Sequence, residues 1–350
     1  MGGVESFQGT ATARSDAPAV ARWLLLCAAM VLAMVLIGGI TRLTESGLSI
    51  VEWQPLVGTI PPLSDADWQA LFQKYQTSPQ FKQVNRGMTL GEFKSIFWWE
   101  YIHRLWGRLI GLVFALPFLW FLARRQIAGA LVWKLGGIFA LGAAQGAMGW
   151  YMVASGLVDR PEVSQYRLTA HLGLALLIYA LLLWTAWNLR GARLGDAAPA
   201  AMRRGAAGLL ILVTVAVLAG GFVAGLDAGL LYNTFPLMEG RLVPPDYLAT
   251  EPWWRDVFEN RATVQFHHRL LGIATLAAAG VYAWRTLGPG TPRPVRRAAA
   301  ALAHTAALQV ALGIATLLLV VPVSLAALHQ AGAMALFTAA LWLRFVVSRR

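Results

Sequence analysis

The chain has 350 residues, of which 57% are hydrophobic and only 13% charged, a balance that excludes an ordinary soluble domain and a disordered chain. Its formal net charge is +12, which on its own suits either nucleic acid or a membrane surface. A spanning helix needs roughly 20 mostly apolar residues, and eight such stretches predict an all-α polytopic membrane protein. They lie near residues 22–40, 98–121, 131–153, 168–188, 206–226, 265–284, 298–320 and 326–346.

The first apolar stretch follows Arg14 and Arg22, a pattern also found in secretory signal peptides. No small-residue cleavage site comes after it, because the chain continues as GGITRLTESGLSI (38–50). We therefore expect a first helix that stays in the protein. The single cysteine, Cys27, lies in this helix, so no intramolecular disulfide can form and a packing role is expected.

The positive charge is concentrated in segments that would lie on one side of the membrane. The N-terminus through Arg22, together with 122–134, 189–205, 285–297 and 344–350, holds 16 Lys and Arg but only 3 Asp and Glu. The remaining residues hold 13 and 14. Because basic loops stay in the cytoplasm, we expect both termini there, with the basic segments facing lipid head groups and no nucleic-acid partner.

The sequence repeats itself once, with its landmarks in the same order in each half. Each half would cross the membrane four times, so the halves are predicted to be parallel repeats. We expect two four-helix bundles, at 22–188 and 206–346. The matching segments are GGITRLTESGL (38–48) with GGFVAGLDAGL (220–230), EYIHRLWGRLIGL (100–112) with QFHHRLLGIATL (265–276), and QGAMGWYMV (145–153) with QVALGIATLLL (309–319).

The other segments complete this organisation. We expect a cytoplasmic N-terminal tail (1–21), a cytoplasmic linker (189–205) and a C-terminal tail (347–350). The outer loops 41–97 and 227–264 are rich in aromatic residues and proline, so they are expected to rest on the membrane surface and to roof a site. Within the first loop, SDADWQALFQKY (64–75) predicts a short amphipathic helix with a serine N-cap.

Four of the six histidines lie within about two turns of the outer end of a predicted helix: His103, His171, His268 and His329. The repeat pairs the first with the third and the second with the fourth. Ionisable groups inside spanning helices are costly and usually face a functional interior. A small divalent ion usually needs a carboxylate or thiolate as well, and the second half offers neither. Two histidines suffice for both axial positions of a heme iron.

Neighbouring residues are compatible with heme without requiring it. Arg104 and Arg269 each follow a candidate ligand and suit heme propionates, although snorkelling to the interface explains them equally well. Glycines near the histidines leave room for a flat macrocycle, and close helix packing also accounts for them. His267 points about 100° away from His268 on the same helix, and His304 has no repeat counterpart. Neither is expected to be an axial ligand.

The most informative difference between the halves is Glu100, which stands where the second half has Gln265. Glu100 and His103 share one helix face, because they are three residues apart. A carboxyl can exchange protons there, whereas glutamine only holds hydrogen bonds. We therefore predict chemistry in the first half and the holding or passing of electrons in the second. The alternative is an interfacial carboxylate paired with Arg104 or Arg108.

The segments GGITRLTESGLSIVEWQPLVGTIPPL (38–63) and EYIHRLWGR (100–108), with the four placed histidines, resemble the heme A synthase family of cytochrome-oxidase assembly. The long first loop is similar to the alphaproteobacterial and mitochondrial branch, and the resemblance covers residues 20–347. It implies an eight-helix oxidoreductase that converts the C8 methyl of heme O to a formyl group, giving heme A. The substrate heme would lie in the N-terminal half and heme b in the C-terminal half.

Carried over by position, the resemblance implies that His103 and His171 hold the substrate heme, with Glu100 taking part in turnover. His268 and His329 would be the axial ligands of heme b. The implied location is a bacterial inner membrane, with the heme sites toward the periplasm. The heme O synthase and oxidase assembly factors are the expected protein partners, and the electron acceptor is open. Some bacterial relatives carry Cys pairs in their outer loops, which this sequence lacks.

The sequence leaves two other functions open. One is a di-heme b-type electron carrier linked to quinol on the outer side, although placing all four histidines toward one side disfavours a relay across the membrane. The other is a heme-handling protein without catalysis, which Glu100 disfavours. Measured turnover of heme O would distinguish an enzyme from the electron carrier and from the heme-handling protein.

Overall fold

The computed structural model describes residues 17–52, 57–156, 163–191 and 198–348, which fold almost entirely into helices. Parts of the predicted tails and linker, at 1–16, 192–197 and 349–350, lie outside the described residues, as does Arg14. In chain order the α-helices of the described residues are α1 (Ala17–Leu43), α2 (Asp65–Gln76), α3 (Pro79–Gln83), α4 (Leu90–Ala123), α5 (Ala130–Gly156), α6 (Gln165–Leu189), α7 (Ala200–Gly225), α8 (Trp253–Glu259), α9 (Arg261–Arg285), α10 (Arg293–Leu318) and α11 (Val323–Ser348).

The long helices make the chain a polytopic all-α membrane protein. Within the described residues, seven of them are long and apolar enough to cross a membrane: α1, α4, α5, α6, α7, α10 and α11. The eighth, α9, is 25 residues long but carries the polar run RATVQFHHR (261–269) in its first turns. That run accounts for the lower hydropathy of α9, so a count of eight spans stays a prediction.

Two capping boxes shape the first outer loop. Ser64 accepts a hydrogen bond from the backbone N–H of Asp67 and caps α2, which confirms the short helix expected there. Thr89 and Glu92 form the same arrangement at the start of α4. Because of this cap, α4 begins at Leu90, two turns before the predicted start near residue 98. The extra turns lie at the outer end of the helix and support the loop.

Each half forms a closed ring of four long helices. In the first half α4 and α6 both pack on α1, and α5 closes the ring between them. In the second half α9 and α11 both pack on α7, and α10 closes the ring. The halves meet along α6 with α7 and along α1 with α11. The same sequence landmarks therefore lie at the same places in two rings.

The bundle is packed differently at its two ends. We call the end that holds Ala17 and Ser348 the inner end and the opposite one the outer end. Fully buried residues from both halves, such as Leu24, Leu302 and Leu343, form one core toward the inner end, and Cys27 is part of this core as expected. The outer end instead surrounds a cavity.

A cluster of aromatic rings roofs the outer end of the first half. Trp68 of α2 packs against Phe97 of α4 and Tyr75 of α2 against Phe93 of α4, with ring centroids 4.9 and 5.1 Å apart. Tyr101 stacks on Phe97 at 6.0 Å. Such pairs stabilise a packed surface beyond the area that they bury. The described part of the loop therefore covers the end of α4, in keeping with its aromatic composition.

Candidate heme site

All four predicted histidine ligands line one cavity at the outer end of the bundle. The cavity has a volume of about 1860 Å³ and is lined by residues of both halves. Ligand pockets usually measure roughly 300–1,000 Å³, so this space accommodates more than one bulky ligand. The four candidate ligands therefore lie together, although nothing in the sequence indicated that the two halves share one cavity.

Each of the four imidazoles packs against a glycine of an adjacent helix. A Cβ at any of these glycines would lie 2.9 to 3.3 Å from Cε1 of the facing ring, inside the usual contact distance between carbon atoms. The absence of a side chain at each glycine therefore makes room for the facing ring, and we call such a glycine the seat of that histidine. The seats recur at matching positions of the repeat. The four pairs are His103 with Gly38, His171 with Gly149, His268 with Gly220, and His329 with Gly313.

The two rings of the second half face each other at a spacing suited to an iron between them. The ring centroids of His268 and His329 are 6.3 Å apart and their planes are nearly perpendicular, at 88°. An iron that binds one nitrogen of each ring at roughly 2 Å would hold the centroids roughly 6 Å apart. The pair therefore fits the axial positions of a heme.

The unpaired atoms of the four histidines fit the same ligand. Nδ1 of His103, His171, His268 and His329 is buried without a hydrogen-bonding partner, whereas buried polar atoms in proteins are nearly always paired. Among the described residues, no three His, Cys, Asp or Glu side chains come together as ligands for a bare metal ion. This arrangement therefore suits a metal that is held by two histidine nitrogens together with a macrocycle.

A glutamine fixes the backbone at one histidine of each pair. Gln145 donates from Nε2 to the carbonyl of His171 at 3.0 Å, and Gln309 donates to the carbonyl of His329 at 2.9 Å. Both glutamines precede the seating glycine by one turn, on α5 and α10. They hold the start of the next long helix and therefore position the two imidazoles.

Glu100 is buried and accepts three hydrogen bonds. The hydroxyl of Ser49 and the backbone N–H of Ile50 donate to Oε2, each at 2.7 Å, and Arg104 donates to Oε1 at 2.5 Å. Arg104 also donates to the carbonyls of Ile50 and Glu52. The carboxylate thus ties the outer loop to the helix that carries His103, and it forms the ion pair with Arg104 that is the alternative to a catalytic role.

Gln265 occupies the matching place and also accepts from its arginine, but its hydrogen bond to the loop runs in the opposite direction. Its Nε2 donates to the carbonyl of Ala228 at 2.7 Å, while its Oε1 accepts from Arg269 at 2.9 Å. Arg269 also donates to the carbonyls of Tyr232 and Thr234. Both arginines therefore hold loop carbonyls, although Nε of Arg269 is buried without a partner and suits an acidic group of a ligand.

Contacts between the halves lie close to the two histidine pairs. Gln330 of α11, next to His329, donates to the carbonyl of Val35 on α1 at 2.7 Å. A Cβ at Gly39 would lie only 1.6 Å from Oε1 of Gln330. Gly38 and Gly39 thus have separate tasks, since the first seats an imidazole of its own half and the second admits a side chain of the other half.

The second outer loop is held by a buried carboxylate, Asp256. It accepts hydrogen bonds from the hydroxyl of Thr263, the backbone N–H of Thr250 and the side chain of Asn260. Burial raises the pKa of Asp256, but these hydrogen bonds outweigh burial and hold the pKa below its usual value. Asp256 therefore stabilises the loop at neutral pH, and this stabilisation is lost as the pH falls through the lowered pKa.

The two remaining histidines lie away from the cavity. Nε2 of His267 is 3.2 Å from the hydroxyl of Tyr247, and Nδ1 of His304 is 2.7 Å from the carbonyl of Ala300. Neither lines the cavity. Both are held by local partners, in keeping with the expectation that they are not axial ligands.

The sequence did not predict several of the positioning residues. The doubled glycines Gly38–Gly39 and Gly220–Gly221 recur in the two halves, and this recurrence was the available signal for two histidine seats. Gln145 and Gln309 stood at the same place in the matched segments without being assigned a role. Nothing in the sequence pointed to Gln330, because its partner Val35 lies 295 residues away.

The fold and the site define a class of protein: a helical membrane protein with two matched histidine pairs, suited to heme, in one outer cavity. Residues 21–341 match the model of a family, COX15-CtaA, described as cytochrome oxidase assembly protein. The chain therefore belongs to the COX15-CtaA family.

Individual relatives extend over almost the whole chain. A protein of Nitrosospira multiformis is 55% identical over 338 residues, which cover 95% of this chain and 94% of the relative. A protein of Nitrosomonas eutropha is 53% identical over 92% of each chain. One from Paramagnetospirillum magneticum is 53% identical over 95% of this chain and 94% of its own. All three are named heme A synthase.

Proposed function

We propose that this protein is a heme A synthase, which oxidises the C8 methyl of heme O to a formyl group for the assembly of cytochrome oxidase. The relatives that share half of its residues carry this name. The observation that carries the proposal is the duplicated histidine pair inside one cavity. Two heme-sized sites side by side suit an enzyme that has one heme as substrate and another as cofactor.

We assign the substrate to the first half (22–188) and heme b to the second (206–346). His103 and His171 would hold the iron of heme O, and His268 and His329 would be the axial ligands of heme b. Heme b supplies one-electron redox chemistry when bound. The perpendicular rings at 6.3 Å support the second assignment, and Glu100 supports the first because the second half has no ionisable group at that position.

The reaction removes four electrons from one carbon in two oxidations. The methyl becomes a hydroxymethyl and then a gem-diol, which loses water to give the aldehyde. With water as the source of oxygen, each oxidation transfers one oxygen to the carbon and releases two electrons, which leave to the outside acceptor, and two protons, so the site needs a proton acceptor. A carboxylate has about four acceptor positions, and Glu100 uses three for Ser49, Ile50 and Arg104. The carboxylate therefore keeps one acceptor position, with which it can take up a proton beside His103.

The remaining assignments follow from charge and family. The concentration of Lys and Arg at the inner end supports cytoplasmic termini, a bacterial inner membrane and heme sites on the periplasmic side. The family's role in oxidase assembly supports contact with the heme O synthase that delivers the substrate and with oxidase assembly factors. The electrons leave to an acceptor outside the chain.

The test is turnover by the purified protein. The protein is expressed in a host that makes heme O, purified in mild detergent, and its hemes are extracted and identified by chromatography and mass spectrometry. We expect heme b with heme O, its hydroxymethyl derivative or heme A. Heme b alone, without an oxidised product when heme O is supplied, would leave an electron carrier as the better assignment.

A further inference from the structure

The seam between the second and third long helices differs between the halves. In the second half, side chains of α9 and α10 stand along it, and Ala306 among them is fully buried. In the first half, glycines of α4 and α5 stand at the matching positions. A Cβ at any of these glycines would meet no atom within 4 Å. The three matched positions are Gly111 with Leu276, Gly142 with Ala306, and Gly146 with Val310.

The missing side chains leave an apolar slot that continues from the first histidine pair. Gly146 lies one turn from Gly149, the seat of His171, and Gly142 lies one turn further, so the slot runs roughly 10 Å along α5. At its inner end Phe114 and Phe139 stack with ring centroids 5.9 Å apart. All of these residues line the cavity that holds the histidines.

The slot opens sideways, toward lipid. Gly111, Gly142 and Gly146 are all exposed on the surface of the bundle, and no side chain from Phe139 to Ala154 is buried. The slot therefore meets the hydrocarbon of the bilayer rather than water. An apolar chain attached to a ligand in the cavity could lie in it.

We propose that this slot holds the isoprenoid tail of the substrate. The inference rests on the proposed function, in which the first half holds heme O and the second holds heme b. Heme O carries a farnesyl-derived tail, whereas heme b has a vinyl group at that place. A half that binds a tailed heme needs an apolar slot beside its histidines, and a half that binds a tail-free heme does not. The three exchanges between the halves match this difference in ligand.

The test fills the slot with the side chains that the second half uses. Gly111→Leu, Gly142→Ala and Gly146→Val are made singly and together. The control is Gly137→Val, a glycine of α5 at which a Cβ also meets no atom but which does not line the cavity. Heme O turnover is measured with protoheme, the tail-free heme, as a competing ligand.

We expect the triple variant to raise KM for heme O at least tenfold with kcat within about twofold of the wild type. Inhibition by protoheme should stay as strong as in the wild type, because only the tail loses its place. The control variant should behave as the wild type. Heme b retained in the second half reports folding, and the single variant Gly146→Val replaces the triple one if heme b is lost.

Two results would overturn the proposal. One is an unchanged KM for heme O in a folded variant with a filled slot. The other is an equal loss of heme O and protoheme, which would mean that the added side chains displace the ring. If the wild type converts no heme O, the proposed function fails instead. The slot is then tested by direct titration with heme O and protoheme, where filling it must weaken only heme O.

Discussion

The two halves hold their outer loops with the same arginine but with opposite neighbours. Arg104 pairs with Glu100, whose second oxygen accepts two hydrogen bonds from the loop. Arg269 pairs with Gln265, whose amide instead donates to loop carbonyls. The two halves thus share the same framework of helices and arginines. They differ in Glu100 against Gln265 and in the loop groups that face them, so only one histidine pair has a carboxylate beside it.

The second contrast concerns space. Both halves seat their imidazoles on glycine, so the immediate surroundings of the four rings are nearly the same. Further along the helices the first half is open at Gly142, whereas Ala306 at the same place in the second half is buried. The halves therefore agree where an iron would be held and differ where the rest of a ligand would lie.

The largest effect is expected when a carboxylate is placed in the second half, at the position where the first half has Glu100. Gln265→Glu places an oxygen against the carbonyls of Ala228 and Tyr232, which now accept from Nε2. A buried charge facing acceptors should lower the free energy of unfolding by about 3 kcal/mol or more. Denaturant unfolding in detergent measures this loss.

The reciprocal variant Glu100→Gln is the matched control for Gln265→Glu. It removes a charge from a place surrounded by donors, so we expect a loss of about 1–2 kcal/mol. Heme A formation in Glu100→Gln tests the proton acceptor separately. Equal stability of Gln265→Glu and the wild type would contradict the reversed hydrogen bonding.

The next effect concerns the glycine seats. Gly220→Ala places a Cβ 3.1 Å from Cε1 of His268, and Gly38→Ala places one 2.9 Å from His103. Overpacking of this kind costs about 1–3 kcal/mol. We expect Gly220→Ala to lose at least half of the heme b, while Gly38→Ala retains heme b and weakens the binding of heme O.

Gly280→Ala serves as the control for the glycine seats. It lies on α9, where a Cβ meets no atom, so it should be neutral or slightly stabilising. Heme content per protein, measured from the absorption spectrum, checks all three variants. Loss of heme b from Gly38→Ala alone would show that the seats do not act on their own half.

A smaller effect is expected where the halves touch. Gln330→Leu removes the hydrogen bond to Val35 and introduces the residue found in the first half at Leu172, at a cost of about 1 kcal/mol. Gly39→Ala displaces the same amide. In a double-mutant cycle on thermal stability, Gly39→Ala should cost less after Gln330→Leu than before it. Additive losses would mean that the two positions are not coupled.

The smallest effect belongs to the ion pair between Arg42 and Asp227, which links the halves at the outer surface. Their side chains are 23% and 53% exposed, and exposed pairs contribute about 0–1 kcal/mol. We expect Arg42→Ala to destabilise by about 0.5 kcal/mol, with a smaller loss at high salt. A loss that salt does not reduce would indicate packing by the Arg42 stem instead.

The sequence predicted a polytopic all-α membrane protein because the hydropathy of a helix is a local property of the chain. Long apolar runs indicated the spans, and two ordered sets of motifs indicated the two halves. The start of α4 was placed two turns late, since Thr89 and Glu92 cap it in a polar segment without membrane character. The polar start of α9 shows the same limit, because polar first turns lower the hydropathy of a helix that was predicted to span the membrane.

The site was predicted only in part, for a related physical reason. Four histidines stood out because ionisable groups are rare inside spans. The partners of Glu100 did not, since Ser49 contributes a hydroxyl and Ile50 a backbone N–H, neither of which any pattern marks. The slot at Gly111, Gly142 and Gly146 was also invisible, because glycine has the same meaning in sequence whether a neighbour fills the space or leaves it open.

The most direct test of the account is the heme content of histidine variants expressed in a host that makes heme O. His268→Ala and His103→Ala remove matching ligands, one from each half. We predict that the first loses heme b and that the second keeps heme b but no longer yields hydroxylated or formylated heme. If both variants lose heme b equally, or if His103→Ala still makes heme A at the wild-type rate, the division of labour between the halves is wrong.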